Sequence, residues 1–221
     1  MAGEGRRPNE PYAQEMTFEE MKAVCDEAHK ENMMVAAHTA GGQGITDAIL
    51  AGVDTLEHAH WLTQEQVDLM AEHGTFCVPT LIVVAHQLAV GKEMLGASDE
   101  SWTWLNMAME AKWASLERAR KAGVKIAAGT DACFVVAHGQ NAAELELLFK
   151  AGLTPMEAIV AGTAVSADAV DMADMVGTIE PGKYADLIFV DGDPLQNIKI
   201  LQRHECIKTV IKGGEVIIQR P

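Results

Sequence analysis

Hydrophobic positions along the chain fall into two textures. Up to about residue 176, short apolar runs alternate with longer amphipathic segments; from Gly177 onward only short runs remain, separated by turns. Met1 to Gln14 is polar, with Gly, Arg and Pro, and reads as a loop. Thr17-Phe18-Glu19-Glu20 is a capping box that predicts a helix to about Lys30, with Met21, Val24, Cys25 and Ala28 as its apolar stripe. Met34 to Ala37 is a short apolar run ending at His38, and a Gly-rich turn follows. Ile45 to Ala51 predicts a short helix closed by Gly52, and Val53 to Glu57 a second strand ending at His58. Strand, turn, helix, strand is a βαβ unit, which requires a parallel pair.

The alternation continues. Thr63-Gln64-Glu65-Gln66 opens a helix that stops at Gly74, and Thr75 to Val78 is a strand stopped by Pro79. Leu81 to Val90 is apolar without a clear period and takes no assignment. Ser101 to Ala122 predicts a long helix carrying Trp102, Trp104 and Trp113, and Val124 to Ala128 a strand running into Gly129-Thr130-Asp131. Asn141 to Lys150 is helical, and Thr154-Pro155-Met156-Glu157 starts another helix with proline at its first position. Beyond Gly177, Ala185 to Val190, Ile207 to Ile211 and Glu215 to Ile218 are strands of a small β domain between Pro-Gly, Gly-Asp-Pro and Gly-Gly turns. There is no internal repeat beyond the βα alternation.

Candidate chemistry gathers at strand ends. His38 and His58 end two parallel strands, so their side chains converge on one side although 20 positions separate them. Asp131, just beyond a strand end, is placed like them. Two neutral imidazoles and a carboxylate suit a divalent metal such as zinc, with a coordination position left for water. A single strand-end histidine is more often a satisfied polar residue; the ordered set of three tips the reading toward ligands. Glu57 alternates to the opposite side of the strand from His58 and reads as structural or as an outer contact behind the ligands. His60 competes with His58 for the ligand role and reads as a pocket-edge residue. His29, His73, His86 and His204 are solvated or packed, the three tryptophans are core, and Cys133 is packing or pocket wall.

The segments AAH ending at His38, LEHAHWL at Leu56–Leu62, AGTDA around Asp131 and GTIEPGKYADLIFVDGDPL from Gly177 resemble the amidohydrolase superfamily, in its imidazolonepropionase-like and prolidase-like branch. The similarity runs from about Met16 to about Val216. It implies an α/β fold: the C-terminal half of a (β/α)8 TIM-type barrel, strands five to eight, over residues 1–176, then strands of a small β-sandwich domain over 177–221. In such a barrel the chemistry lies at the strand C-termini. The resemblance implies His38, His58 and Asp131 as metal ligands, Asp131 as general base, and one or two zinc ions in the intact enzyme. His138, in AHGQNAAELELL, resembles a motif after the last barrel strand and joins His60 as a substrate or outer contact.

Two family features are missing. The His-x-His pair of the first strand has no counterpart before His38, although His58-Ala59-His60 has that spacing at the strand-six position. The bridging lysine of the fourth strand lies, in relatives, upstream of a segment like Met1 to Gly5. With 221 residues against ~250 for a full barrel, the chain reads as the C-terminal half of an enzyme. The implied activity is metal-dependent hydrolysis of C–N amide bonds in dipeptides, often with C-terminal proline or a basic residue, or in cyclic amides. Some prolidase-like relatives place a tyrosine two residues after the strand-five histidine; here that residue is Ala40, leaving Tyr12, Arg6 or Arg7 as substitutes for holding a substrate carboxylate. The alternative is a catalytically inactive half-barrel, a binding or assembly module or a truncated gene product.

Charge and cysteines narrow the partners. The net charge is −15 with no basic stripe, which argues against nucleic acid. No apolar run approaches the ~20 residues of a membrane span. The four cysteines are scattered without a C-x-x-C pair, as in reduced cytosolic proteins. Cytoplasmic location is the default, any export signal falling in the absent half. With four barrel strands and no closure, the chain is expected to need the missing N-terminal half or to self-associate.

Overall fold

Thr17 opens helix α1 (Phe18–Lys30): its side chain accepts from the Glu20 N–H while the Glu20 carboxylate takes the Thr17 N–H. Thr63 and Thr154 do the same for α3 (Gln64–His73) and α8 (Pro155–Val160). Each box satisfies two N–H groups that a helix start otherwise leaves without partners. The computed structural model describes residues 13–132 and 136–221. Arg6, Arg7, Tyr12 and Cys133 lie outside the described residues. The chain divides into two units, Met1–Ala127 and Ala128–Pro221.

The first unit is α/β. Strands β1 (Ala36–Gly41), β2 (Thr55–Trp61) and β3 (Phe76–Val78) form a parallel sheet in that order, with α2 (Gln43–Ala51) joining the first two. Gly52 ends α2 at φ 103°, and Gly74 ends α3 at φ 76°, left-handed positions where a side chain would be strained. Ile45, Ile49, Leu56, Val67, Met70, Leu81 and Leu116 form the fully buried core.

Three boundaries differ from expectation. Both histidine-bearing strands run on past their histidines, β1 to Gly41 and β2 to Trp61. The strand expected over Val124 to Ala128 shrinks to one parallel bridge, Ile126 to Cys77, made by Cys77 N–H to Lys125 O and Ala127 N–H to Cys77 O at 2.9 Å each. The reason is the shortness of β3, which Pro79 ends by removing a ladder donor. Leu81–Val90, unassigned from its pattern, is helix α4. It packs against α6 (Asp99–Lys121) through Val84, Leu105 and Met109, with Trp102, Trp104 and Trp113 alongside. The tryptophans of α6 therefore pack, as anticipated. A short helix, α5 (Lys92–Leu95), links α4 to α6.

In the second unit, α7 (Ala142–Lys150) precedes α8, which continues through a π-helical turn at Ala161–Val165 into α9 (Ser166–Asp168). Strands β4 (Leu187–Val190), β5 (Ile207–Lys212) and β6 (Glu215–Gln219) form an antiparallel sheet in sequence order. No helix among the described residues is long and apolar enough to cross a membrane.

Candidate functional site

The β2–β3 ladder ends at the rung Glu57↔Val78, because the next residue on β3's side is Pro79. At that point the backbone leaves regular strand geometry. His58 and Ala59 take φ of 68° and 40°, and Thr80 takes 46°. These are left-handed conformations that non-glycine residues adopt at a cost of roughly 1–3 kcal/mol each, and they cluster where a side chain must be aimed. In a regular parallel pair, His38 would share a sheet face with its register partner Glu57, and His58 with Thr39. The turn at His58 breaks that alternation. The His38 and His58 rings meet edge to face with centroids 4.4 Å apart. Glu57 stays on the strand's other side, its carboxylate accepting from the Thr55 hydroxyl at 2.6 Å.

Thr80 fixes the state of His58. The Thr80 hydroxyl donates its single proton to Pro79 O at 2.8 Å, so at 2.6 Å from His58 Nδ1 it acts as acceptor. His58 is therefore the Nδ1–H tautomer, and Nε2 keeps its lone pair. Burial, the Lys112 ammonium and His38 together lower the His58 pKa to about 3, which makes the ring neutral at physiological pH. A neutral imidazole with its second nitrogen hydrogen-bonded is the form that binds metals. Replacing Thr80 by Val should leave Nδ1–H without an acceptor. Long-range 1H–15N spectra of the metal-free protein should then show a mixture of tautomers, and zinc affinity should fall about 10–100-fold.

His60 is more enclosed than a pocket-edge residue. It is buried, stacked on Trp61 with centroids 5.4 Å apart, and tilted against Trp104 at 5.3 Å. Burial first, then the Lys112 ammonium, His58 and His38, hold its pKa well below the usual histidine range, with the Thr39 backbone opposing.

Helix α6 supplies residues that the sequence reading did not single out. Its buried stripe is Leu105, Ala108, Met109, Lys112, Ser115, Leu116 and Ala119. Lys112 donates to the carbonyls of His58 and Pro79, the Ser115 hydroxyl donates to His60 O at 2.8 Å, and Arg118 reaches Leu62 O at 3.3 Å. Alternate carbonyls from His58 to Leu62, beyond the point where the β2–β3 ladder ends, are thus satisfied by side chains three apart on one helix. A lysine inside an apolar stripe of three-four spacing was the available signal.

In the second unit, Asp131 is exposed with φ 47°. The segment leading to it is tied down at Ala128, whose N–H donates to Ala161 O at 3.0 Å and lies 3.2 Å from Ser166 Oγ. Ser166 in turn donates to Ala161 O at 2.6 Å, at the start of the π turn. His138 is exposed in the turn before α7. Among the described residues no group of three or more His, Cys, Asp or Glu is arranged to hold a metal. Within the first unit, the imidazoles of His38 and His58 fit a divalent ion by donor chemistry.

A family model described as the Amidohydrolase family matches residues 7–217. Ochratoxinase of Aspergillus niger is 36% identical over 212 residues, covering 95% of this chain and 43% of that protein. Its crystal structure is similar with a TM-score of 0.84, over 96% of this chain and 47% of the other. A Xaa-Pro dipeptidase with methionine bound in its active site is 35% identical with a TM-score of 0.83, over 93% of this chain and 50% of that one. Imidazolonepropionase of Caldanaerobacter subterraneus is 27% identical over 216 residues, 91% of this chain and 45% of that protein. The chain spans about half the length of the relatives it matches.

Proposed function

The chain belongs to the amidohydrolase family, and on that premise we propose that it is the metal-binding C-terminal half of a hydrolase acting on C–N bonds of small amides. The observation that carries this reading is the contact between the His38 and His58 rings, with His58 held neutral and its Nε2 left open by the Thr80 hydroxyl on Nδ1. In this reading β1, β2, β3 and the Ile126 bridge correspond to strands five to eight of a (β/α)8 barrel. Residues 177–221 are then part of a small β domain.

His38 and His58 hold a divalent ion, zinc by ligand type, and Asp131 serves as the third ligand. When bound, such an ion lowers the pKa of water toward ~7 and polarises the scissile carbonyl. Asp131 accepts the proton released on attack and returns it to the departing nitrogen. Thr80 holds His58 in place, while His60 and His138 are assigned to the pocket around the substrate. Dipeptides and cyclic amides are both in range: one similar protein is a Xaa-Pro dipeptidase and another an imidazolonepropionase.

Equilibrium dialysis tests the site. The isolated chain is expected to hold at most about one zinc ion tightly and to lose it on His58→Ala. Unchanged stoichiometry in a His38→Ala/His58→Ala double variant would end the assignment. In turnover assays on dipeptides and cyclic amides, the chain alone is expected to stay at the level of its His58→Ala variant. Adding the N-terminal half of a close relative is expected to raise the rate.

The second reading is an assembly module without catalysis. Apolar residues exposed on the β4–β6 sheet favour it, with Phe189 at 55% and Val216 at 57% exposure. A metal-dependent rate from the purified chain alone would exclude it.

A further inference from the structure

Lys112 sits in the apolar stripe of α6 at 2% exposure. A lysine is rarely buried so completely unless its ammonium is hydrogen-bonded. Its position is set by the sheet. The ladder between β2 and β3 stops at Glu57↔Val78, and the rung that would follow pairs His58 with Pro79. Proline cannot donate, so the ladder cannot continue there. The Lys112 ammonium lies between the carbonyls of that same pair, 3.1 Å from His58 O and also bonded to Pro79 O. It supplies from a side chain the donors that the interrupted ladder lacks.

The two peptides it grips are the ones that turn. His58 O belongs to the peptide between the left-handed residues His58 and Ala59, and Pro79 O to the peptide leading into left-handed Thr80. Pro79 O also accepts the Thr80 hydroxyl proton, which makes Thr80 Oγ1 an acceptor for His58 Nδ1. One ammonium thus fixes both ends of the hydrogen bond that orients the imidazole. Strained conformations of this kind persist only where their surroundings over-determine them.

We propose that Lys112 is a positioning residue for His58: by binding the carbonyls of His58 and Pro79, it locks the two left-handed turns that bring the imidazole to the Thr80 hydroxyl and leave Nε2 directed at a ligand. The proposal rests on the reading of His58 as a metal ligand for its purpose, but the hydrogen-bond geometry stands in the metal-free chain. Lys112 itself touches no reacting atom.

The test compares Lys112→Met with Ser115→Ala in the full chain. Ser115 is equally buried on the same face and bonds the next carbonyl of β2, so its loss damages the same helix–strand contact without touching the His58/Pro79 rung. Long-range 1H–15N spectra of the metal-free proteins report the His58 tautomer, and zinc titration reports affinity. The Lys112→Met variant is expected to lose the Nδ1–H tautomer as its dominant form and to bind zinc at least tenfold more weakly. Ser115→Ala is expected to keep the wild-type tautomer and an affinity within about twofold.

A Lys112→Met protein that folds with the wild-type His58 tautomer overturns the proposal, as does an equal loss in both variants. If Lys112→Met does not fold, the wild-type chain decides. A Lys112 Nζ signal with scalar coupling to the carbonyl carbons of His58 and Pro79 supports the proposal, and an ammonium exchanging like a free lysine overturns it. A tautomer that collapses in Lys112→Met while even the wild type fails to bind zinc upholds the positioning role and removes the metal reading instead.

Discussion

Acidification of the metal-free chain is expected to strip stability from it well before its exposed carboxylates titrate. The cause is His58, whose pKa falls from the usual 6.5 to about 3 in the folded chain through burial and the neighbouring Lys112 and His38. The sign follows from the proton count. Between pH 6.5 and 3, unfolded chains carry a proton on this histidine that folded chains reject. The stabilisation is therefore complete above about 6.5 and is lost as pH falls through that window. Each pH unit inside it is worth about 1.4 kcal/mol, or on the order of 3 kcal/mol by pH 4 from His58 alone. His60 acts with the same sign, since burial also holds its pKa well below the ordinary value.

Urea unfolding at pH 7, 6 and 5 measures the slope directly, with EDTA present to remove metals. A His58→Gln variant is expected to lose about one proton from that slope, whatever its stability at pH 7. Unfolding free energies that stay flat from pH 7 to 5 would show that the imidazoles are not held neutral. The same depression favours metal binding: a ring already neutral has no proton to surrender to an incoming cation. His58 should therefore stay competent to hold zinc at mildly acidic pH better than a histidine with an ordinary pKa.

The parts of the structure legible in the sequence are those encoded locally. Thr17, Thr63 and Thr154 announce their helices because a capping box needs only four consecutive residues, and all three boxes are formed. Gly52 and Gly74 end helices for an equally local reason. The βαβ pattern places His38 and His58 toward the same end of two adjacent parallel strands, but the contact of their rings needs the turn at His58 as well.

What stayed hidden depends on tertiary context. Leu81–Val90 is a helix whose pattern shows no polar face; its first turn is buried at Leu81, Ile82 and Val84, and it packs against α6. The left-handed turns at Ala59 and Thr80 fall on residues with no preference for positive φ, and histidine visits that region too seldom for His58 to be marked by its type. Lys112 and Thr80 matter because Pro79 breaks a ladder far from Lys112 in sequence. The strand expected over Val124 to Ala128 shrank because its partner β3 is three residues long, a limit written in β3 and absent from that segment itself.

The isolated chain is expected to self-associate at micromolar concentration, and the reason can be read from two surfaces. In the second unit, Ile188, Val210 and Ile218 pair across β4, β5 and β6, and so do Leu187, Ile211 and Val216. Successive residues of a strand face opposite sides, and the register shift between Val210 and Ile211 puts Val216 with Ile211 rather than with Ile218, so both faces of this sheet carry apolar rows. Ile188, Val216 and Ile218 are exposed, as are Phe189 and Ile217. Sheets that are apolar on both faces are ordinarily covered on both. In the first unit, β1 has no strand partner besides β2 among the described residues, which leaves an edge able to accept another strand.

Burying about 800 Å² per partner would suffice for a specific dimer. Light scattering after size exclusion is therefore expected to give a mass of twice the monomer or more. Val216→Lys combined with Ile218→Lys places a charge on each β6 row and should return the chain toward monomer if the sheet is the interface. Association that survives this pair while a lysine at Ala36 abolishes it would locate the contact at the β1 edge. A monodisperse monomer with a cooperative melt independent of concentration would contradict both surfaces at once. The apolar rows of β4 to β6 would then be tolerated in water, and the assembly-module reading would lose the observation that favours it.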